Sequence, residues 1–192
     1  MEFIDLKAQQ NQLLESGKTL RDDIENRIKS VLDHGKYILG KEVQELEEEL
    51  AEYVGVKHCI AVSSGTDALI IALLALDIKP GDEVITTPFS FFATAETILL
   101  LGAKPVFIDI EKDTYNLDPN KIKSAITRNT KVIMPVSLYG QPANFETINN
   151  LAKEYKIPVI EDGAQSHGAE WNGMISGAIG DAAGHSFYPG KN

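Results

Sequence analysis

The 192 residues are 43% hydrophobic and 24% charged, a balance that suits a soluble globular chain with a sizeable core. A net charge of −10 argues against nucleic-acid phosphates or an anionic membrane surface as partner. The single cysteine, Cys59, excludes an intrachain disulfide and a multi-cysteine zinc site.

Met1-Glu2-Phe3-Ile4-Asp5 carries neither a basic n-region nor an apolar h-region, and no apolar run approaches membrane-spanning length, so a cytoplasmic location is expected. From residue 7 to 34 apolar residues recur at helical spacing (Leu13, Leu14, Leu20, Ile24, Ile28, Val31) until Gly35, which predicts one or two surface helices. Residues 40 to 54 form an acidic amphipathic helix ended by Gly55. Together these make an expected N-terminal helical segment over 1–56.

From Lys57 short apolar runs alternate with helical patterns, and 57–192 reads as a single α/β domain. Strands are expected at Cys59–Val62, Glu83–Thr87, Pro105–Ile110, Lys131–Ser137, Pro158–Glu161 and His185–Tyr188. Helices are expected at Thr66–Leu76, Phe92–Leu101, Asn120–Ile126 and Phe145–Tyr155. Such alternation is the mark of a mostly parallel sheet covered on both faces, a three-layer sandwich. Cys59, inside the first of these runs, reads as a packing residue.

Three segments carry chemistry. Ser63-Ser64-Gly65-Thr66-Asp67 follows a strand and opens a helix, where glycine permits close approach and the first-turn N–H groups bind an anion; an ordinary helix cap reads equally well there. It is neither a dinucleotide nor a nucleoside-triphosphate loop. Ile160-Glu161-Asp162-Gly163-Ala164-Gln165-Ser166-His167 ends a buried strand in two carboxylates that face opposite sides of the sheet. A carboxylate there holds a metal, caps a helix or pairs with a protonated ring nitrogen, and His167 has no second ligand at metal-binding spacing. Finally, Lys191 follows Pro189-Gly190 beyond an apolar run. Alone it reads as a solvated surface residue; beside another cation or an aldehyde cofactor it becomes a Schiff-base nucleophile.

In this order these segments resemble the sugar-nucleotide aminotransferases of the DegT type, within the fold-type I enzymes of pyridoxal 5′-phosphate (PLP). The resemblance covers essentially the whole chain. It begins at Phe3-Ile4-Asp5-Leu6 and His34-Gly35-Lys36-Tyr37 and passes through Ser64-Gly65-Thr66-Asp67-Ala68-Leu69, Phe92-Ala93-Thr94-Ala95-Glu96-Thr97 and Tyr115-Asn116-Leu117-Asp118-Pro119. It continues over Pro135-Val136-Ser137-Leu138-Tyr139-Gly140-Gln141, Glu161-Asp162-Gly163-Ala164-Gln165-Ser166 and the run ending at Asn192. It implies that Lys191 carries PLP as an internal aldimine and then serves as acid and base, and that Asp162 pairs with the ring nitrogen. It also implies Gln165 beside the phenolic oxygen, Gly65, Thr66 and Ser186 around the phosphate, and Phe91 (or Phe89 or Phe92) stacked on the ring.

The same resemblance implies glutamate as amine donor, a keto-sugar nucleotide as acceptor and a homodimer; no metal site is expected from the ligand spacing. Within the family the chain resembles enzymes that aminate UDP-linked 2-acetamido-3-keto-hexuronic acids. Relatives with histidine in place of the lysine dehydrate instead. Family members continue for about as long again, so a small C-terminal domain, with part of the substrate site, is expected to be missing after Asn192. Two other readings compete: a PLP-dependent sugar dehydratase, and a non-catalytic cofactor-binding fragment. Tyr37, Tyr188 and His185 read as structural.

Overall fold

The computed structural model describes residues 4–191, so Phe3 and Asn192 of the resembling segments lie outside the described residues. It falls into two compact units. One holds the chain up to Glu52 with His58–Ala61, and the other holds Tyr53–Lys57 and the chain from Val62 onward.

The first unit is helical: α1 (Leu6–Gln10), α2 (Leu20–His34) and most of α3 (Lys41–Val54). Thr19 and Asp22 form a reciprocal capping box at the start of α2, and Gly35 ends it in the left-handed region at φ 67. The apolar run Cys59–Val62 is not a strand. The Ala61 N–H donates to the Glu47 carboxylate at 2.7 Å, so a side chain takes the bond that a strand neighbour would make, and Ile60 is 74% exposed. Cys59 is partly buried, which pushes its thiol above its ordinary value.

The second unit is built on β1 (Glu83–Thr86), β2 (Lys104–Phe107), β3 (Thr130–Ile133), β4 (Ile160–Asp162) and β7 (Ala182–Gly184). β1 lies between β2 and β3, all parallel, and β4 pairs parallel with β7. Parallel bridges Ile133–Val159 and Val136–Asp162 join the two sets, giving the order β2-β1-β3-β4-β7. A short antiparallel hairpin, β5 (Glu170–Trp171) and β6 (Met174–Ile175), lies between β4 and β7 in sequence.

Strand alternation divides the core in two. Val84, Val132 and Ile160 pack with Leu69 and Leu73 of α4 (Gly65–Ala75) and Ile98 of α5 (Ala93–Leu100). Their neighbours Ile85, Ile133 and Val159 face Ile122 of α6 (Pro119–Ala125) and Phe145 and Ile148 of α7 (Phe145–Tyr155). That is the expected three-layer α/β sandwich with a parallel sheet.

The expected strand at His185–Tyr188 is absent; the strand lies just upstream at Ala182–Gly184. Its partner β4 stops at Asp162, so pairing stops at Gly184, and the following residues turn, with Lys191 N–H on the Tyr188 carbonyl at 2.9 Å. Among the described residues no helix is long and apolar enough to cross a membrane.

Candidate active site

The carboxyl ends of parallel strands are where open α/β sheets collect ligands, because backbone groups and helix starts converge there. The sequence-expected residues gather at those ends. β4 closes on Asp162, which is 4% exposed. Its Oδ2 accepts the Thr94 hydroxyl at 2.7 Å, and its Oδ1 accepts the Ala164 N–H at 3.2 Å. Thr94 sits in the first turn of α5 and is itself hydrogen-bonded to Ser90 at 2.8 Å, so a short relay of hydroxyls orients the carboxylate. Burial pushes the Asp162 carboxyl above the ordinary aspartate value, and the neighbouring Glu161 adds to that; Thr94, Ala164 and the positive charge of Lys191 pull the other way. Lys191 therefore lies within electrostatic reach of Asp162.

Gly65 is the first residue of α4, capped by Ser64, whose hydroxyl accepts the Asp67 N–H at 3.1 Å. Both Ser63 and Ser64 donate to the Asp67 carboxylate, which ties this loop to the helix start. A Cβ built on Gly65 would stand 2.8 Å from Ser186 Cβ and 3.0 Å from the His185 carbonyl oxygen. Only glycine lets these two segments meet, and their meeting puts the N–H groups of α4, the half-buried Thr66 and Ser186 together.

Gln165 is held from the side: its Oε1 accepts the Tyr139 N–H at 2.9 Å. Tyr139 adopts φ 57, a left-handed backbone that costs a tyrosine energy and is held by its surroundings. With Oε1 committed as acceptor, the amide nitrogen is the end that can donate. Phe91 lies two residues before α5, is 70% exposed, and its carbonyl accepts the Thr94 N–H at 3.1 Å. Of the alternatives, Phe89 packs its ring on Tyr115 at 5.7 Å.

Sequence reasoning assigned no particular role to three contributors. Thr94 was quoted only as part of a matching segment, and its bond to Asp162 spans 68 positions. The Tyr139 N–H leaves no mark in a sequence. Glu161 is fully buried and accepts from Ser137 Oγ and Ser176 Oγ, both at 2.7 Å, and from the Gly177 N–H at 2.8 Å. Ser176 is also hydrogen-bonded to Ser166 at 2.7 Å, so Glu161 fastens the loop that carries Gln165. The two adjacent carboxylates thus take separate roles on opposite sides of the strand. Among the described residues no group of three or more metal-ligating side chains converges.

These residues fit PLP on chemical grounds. A buried carboxylate whose ionised form is disfavoured gains from a protonated ring nitrogen. A helix start with glycine and hydroxyls suits a phosphate dianion, and a lysine near that carboxylate can hold an aldehyde.

Fold and site together suit an anionic, ring-bearing ligand at strand ends within reach of an amine. A match to the DegT/DnrJ/EryC1/StrS aminotransferase family runs over residues 18–192, and the chain belongs to that family. Over 191 residues it is 54% identical to the UDP-2-acetamido-2-deoxy-3-oxo-D-glucuronate aminotransferase of Pseudomonas aeruginosa, covering 100% of this chain and 51% of that protein. Its structure matches DesV of Streptomyces venezuelae, solved in complex with a ketimine intermediate, at TM-score 0.92 and 40% identity, over 99% of this chain and 49% of the other. NtdA of Bacillus subtilis, solved with bound cofactor PMP, matches at TM-score 0.83 and 41% identity, over 89% of this chain and 38% of that one. The chain spans about half the length of the curated relatives it matches.

Proposed function

We propose that this protein is a PLP-dependent aminotransferase that moves an amino group from glutamate to a 3-keto sugar joined to a nucleoside diphosphate. The observation that carries this reading is Asp162: a buried carboxylate at a strand end, oriented by Thr94 and Ala164 and drawn on by the charge of Lys191. Bound there, PLP supplies an electron sink that makes a carbon–hydrogen bond beside nitrogen acidic.

This chain's residues do the rest. Asp162 holds a proton on the ring nitrogen, which keeps the sink effective. Gly65, Thr66 and Ser186 bind the phosphate, Gln165 donates from its amide toward the phenolic oxygen, and Phe91 supplies a ring face. The Lys191 amine would hold the aldehyde and would carry a proton to and from the substrate carbon. Glutamate takes up an oxygen from water at its α-carbon and leaves as 2-oxoglutarate, and the keto oxygen of the sugar departs as water when the amine takes its place, so no water is consumed overall. The 3-keto UDP sugar is supported by the 54% identity to an enzyme whose name specifies that group. The family resemblance supports a homodimer.

The test is chemical. Borohydride reduction of the full-length gene product should fix PLP to Lys191, read by peptide mass, and glutamate added beforehand should abolish the fixation. Lys191→Ala should lose both the fixation and transamination. A Lys191→Ala protein that transaminates at the parent's rate overturns the assignment.

A further inference from the structure

His185 lies between two parts of the proposed site. It follows β7, precedes Ser186, and places its Nδ1 3.0 Å from the Gly163 carbonyl oxygen. A carbonyl can only accept, so Nδ1 carries the proton. Gly163 directly follows Asp162, and its own N–H bonds the Gly184 carbonyl at 2.9 Å. The β4–β7 ladder ends at Asp162 and Gly184, so this imidazole adds a bond just beyond the end of the backbone pairing.

The ring fits a slot walled by two glycines. A Cβ on Gly163 would come within 2.8 Å of His185 Cε1, and one on Gly177 within 2.7 Å of its Nε2. His167 closes the slot edge-on, with ring centroids 5.5 Å apart. Among the described residues, His185 Nε2 and His167 Nδ1 are buried without hydrogen-bond partners, and burial and the neighbouring His185 hold His167 below its usual value. A solvated structural histidine has no need of two glycine walls and one directed bond.

We infer that His185 is a positioning residue: its Nδ1–H fixes the Asp162–Gly163 end of β4 against the Ser186 segment, so the ring-nitrogen and phosphate contacts keep one spacing. This rests on the PLP reading above.

The test compares the full-length parent with His185→Phe, which fills the slot without the donor, and His185→Asn, whose amide nitrogen matches Nδ1. His185→Phe should weaken PLP binding about tenfold and displace the pH midpoint of the absorbance of lysine-linked PLP, while His185→Asn stays within about threefold of the parent. If His185→Phe does not fold, His185→Gln, whose amide overreaches the Gly163 carbonyl, takes its place with the same expected loss. Unchanged binding and absorbance in the donor-less variant overturn the inference, as does His185→Asn failing alongside it. A parent with no borohydride-fixed PLP on Lys191 overturns the functional reading itself.

Discussion

Glu161 offers the sharpest test of how this site is held. Its carboxylate is fully buried and takes bonds from the Ser137 and Ser176 hydroxyls and the Gly177 N–H. Glu161→Ala removes the acceptor and leaves the donors. Ser176 keeps its bond to Ser166, so the Ser137 hydroxyl and the Gly177 N–H are stranded. A stranded buried donor costs about 1–3 kcal/mol, so the loss, with the void added, is about 4 kcal/mol. In a chain of this size that lowers Tm by about 8–16 °C. Glu161→Gln keeps the shape; one amide oxygen still meets the Gly177 N–H, and both serine hydroxyls can turn to accept from the amide nitrogen. Its cost should be about 1 kcal/mol, or about 2–4 °C. Thermal unfolding by circular dichroism separates the two. If the alanine and glutamine variants unfold within about 2 °C of one another, the stranded donors do not carry the cost and the reasoning fails.

Asp162→Asn should stabilise the cofactor-free protein near neutral pH while weakening PLP binding. Burial raises the Asp162 value above that of the unfolded chain, so the cofactor-free fold loses stability as pH rises through the folded value, and the amide removes that loss. A Tm that falls with pH as steeply as the parent's would refute it. Thr94→Val removes a hydroxyl that lowers the Asp162 value, so the acid limb of kcat/KM should move to higher pH; an unmoved limb counts against Thr94 as the orienting donor. Gly65→Ala should prise Ser186 from the start of α4 and cost PLP affinity together with about 1–3 kcal/mol of stability, measured by equilibrium dialysis and denaturant unfolding. Unchanged affinity there would mean the two segments do not share the phosphate.

Periodicity carried the layers because alternation is a local property. Val84 beside Ile85 and Val132 beside Ile133 already specify two buried faces, and two faces require helices on both. It failed where pairing is decided elsewhere. Cys59–Val62 is apolar enough for a strand, yet Glu47 takes the Ala61 N–H. His185–Tyr188 looks more strand-like than Ala182-Ala183-Gly184, yet the length of β4 selects the latter. At the site, spacing alone left Asp162 as metal ligand, cap or ring partner; the resemblance supplied the choice, and the structure adds Thr94 and the Tyr139 N–H, whose bonds join residues far apart in the chain.

The Glu161–Asp162 pair shows how one strand end serves stability and chemistry at once. Both carboxylates are buried, and burying either costs free energy that donors must offset. Alternation sends them to opposite faces, so they draw on different donors. Glu161 receives two hydroxyls and a backbone N–H and fastens the loop that carries Gln165. Asp162 receives one hydroxyl and one N–H, and burial still outweighs them together with the pull of Lys191. On the proposed reading, the remaining cost is what a cationic ring nitrogen would relieve on binding. On that reading, stabilising the Asp162 carboxylate from within the protein would weaken the site.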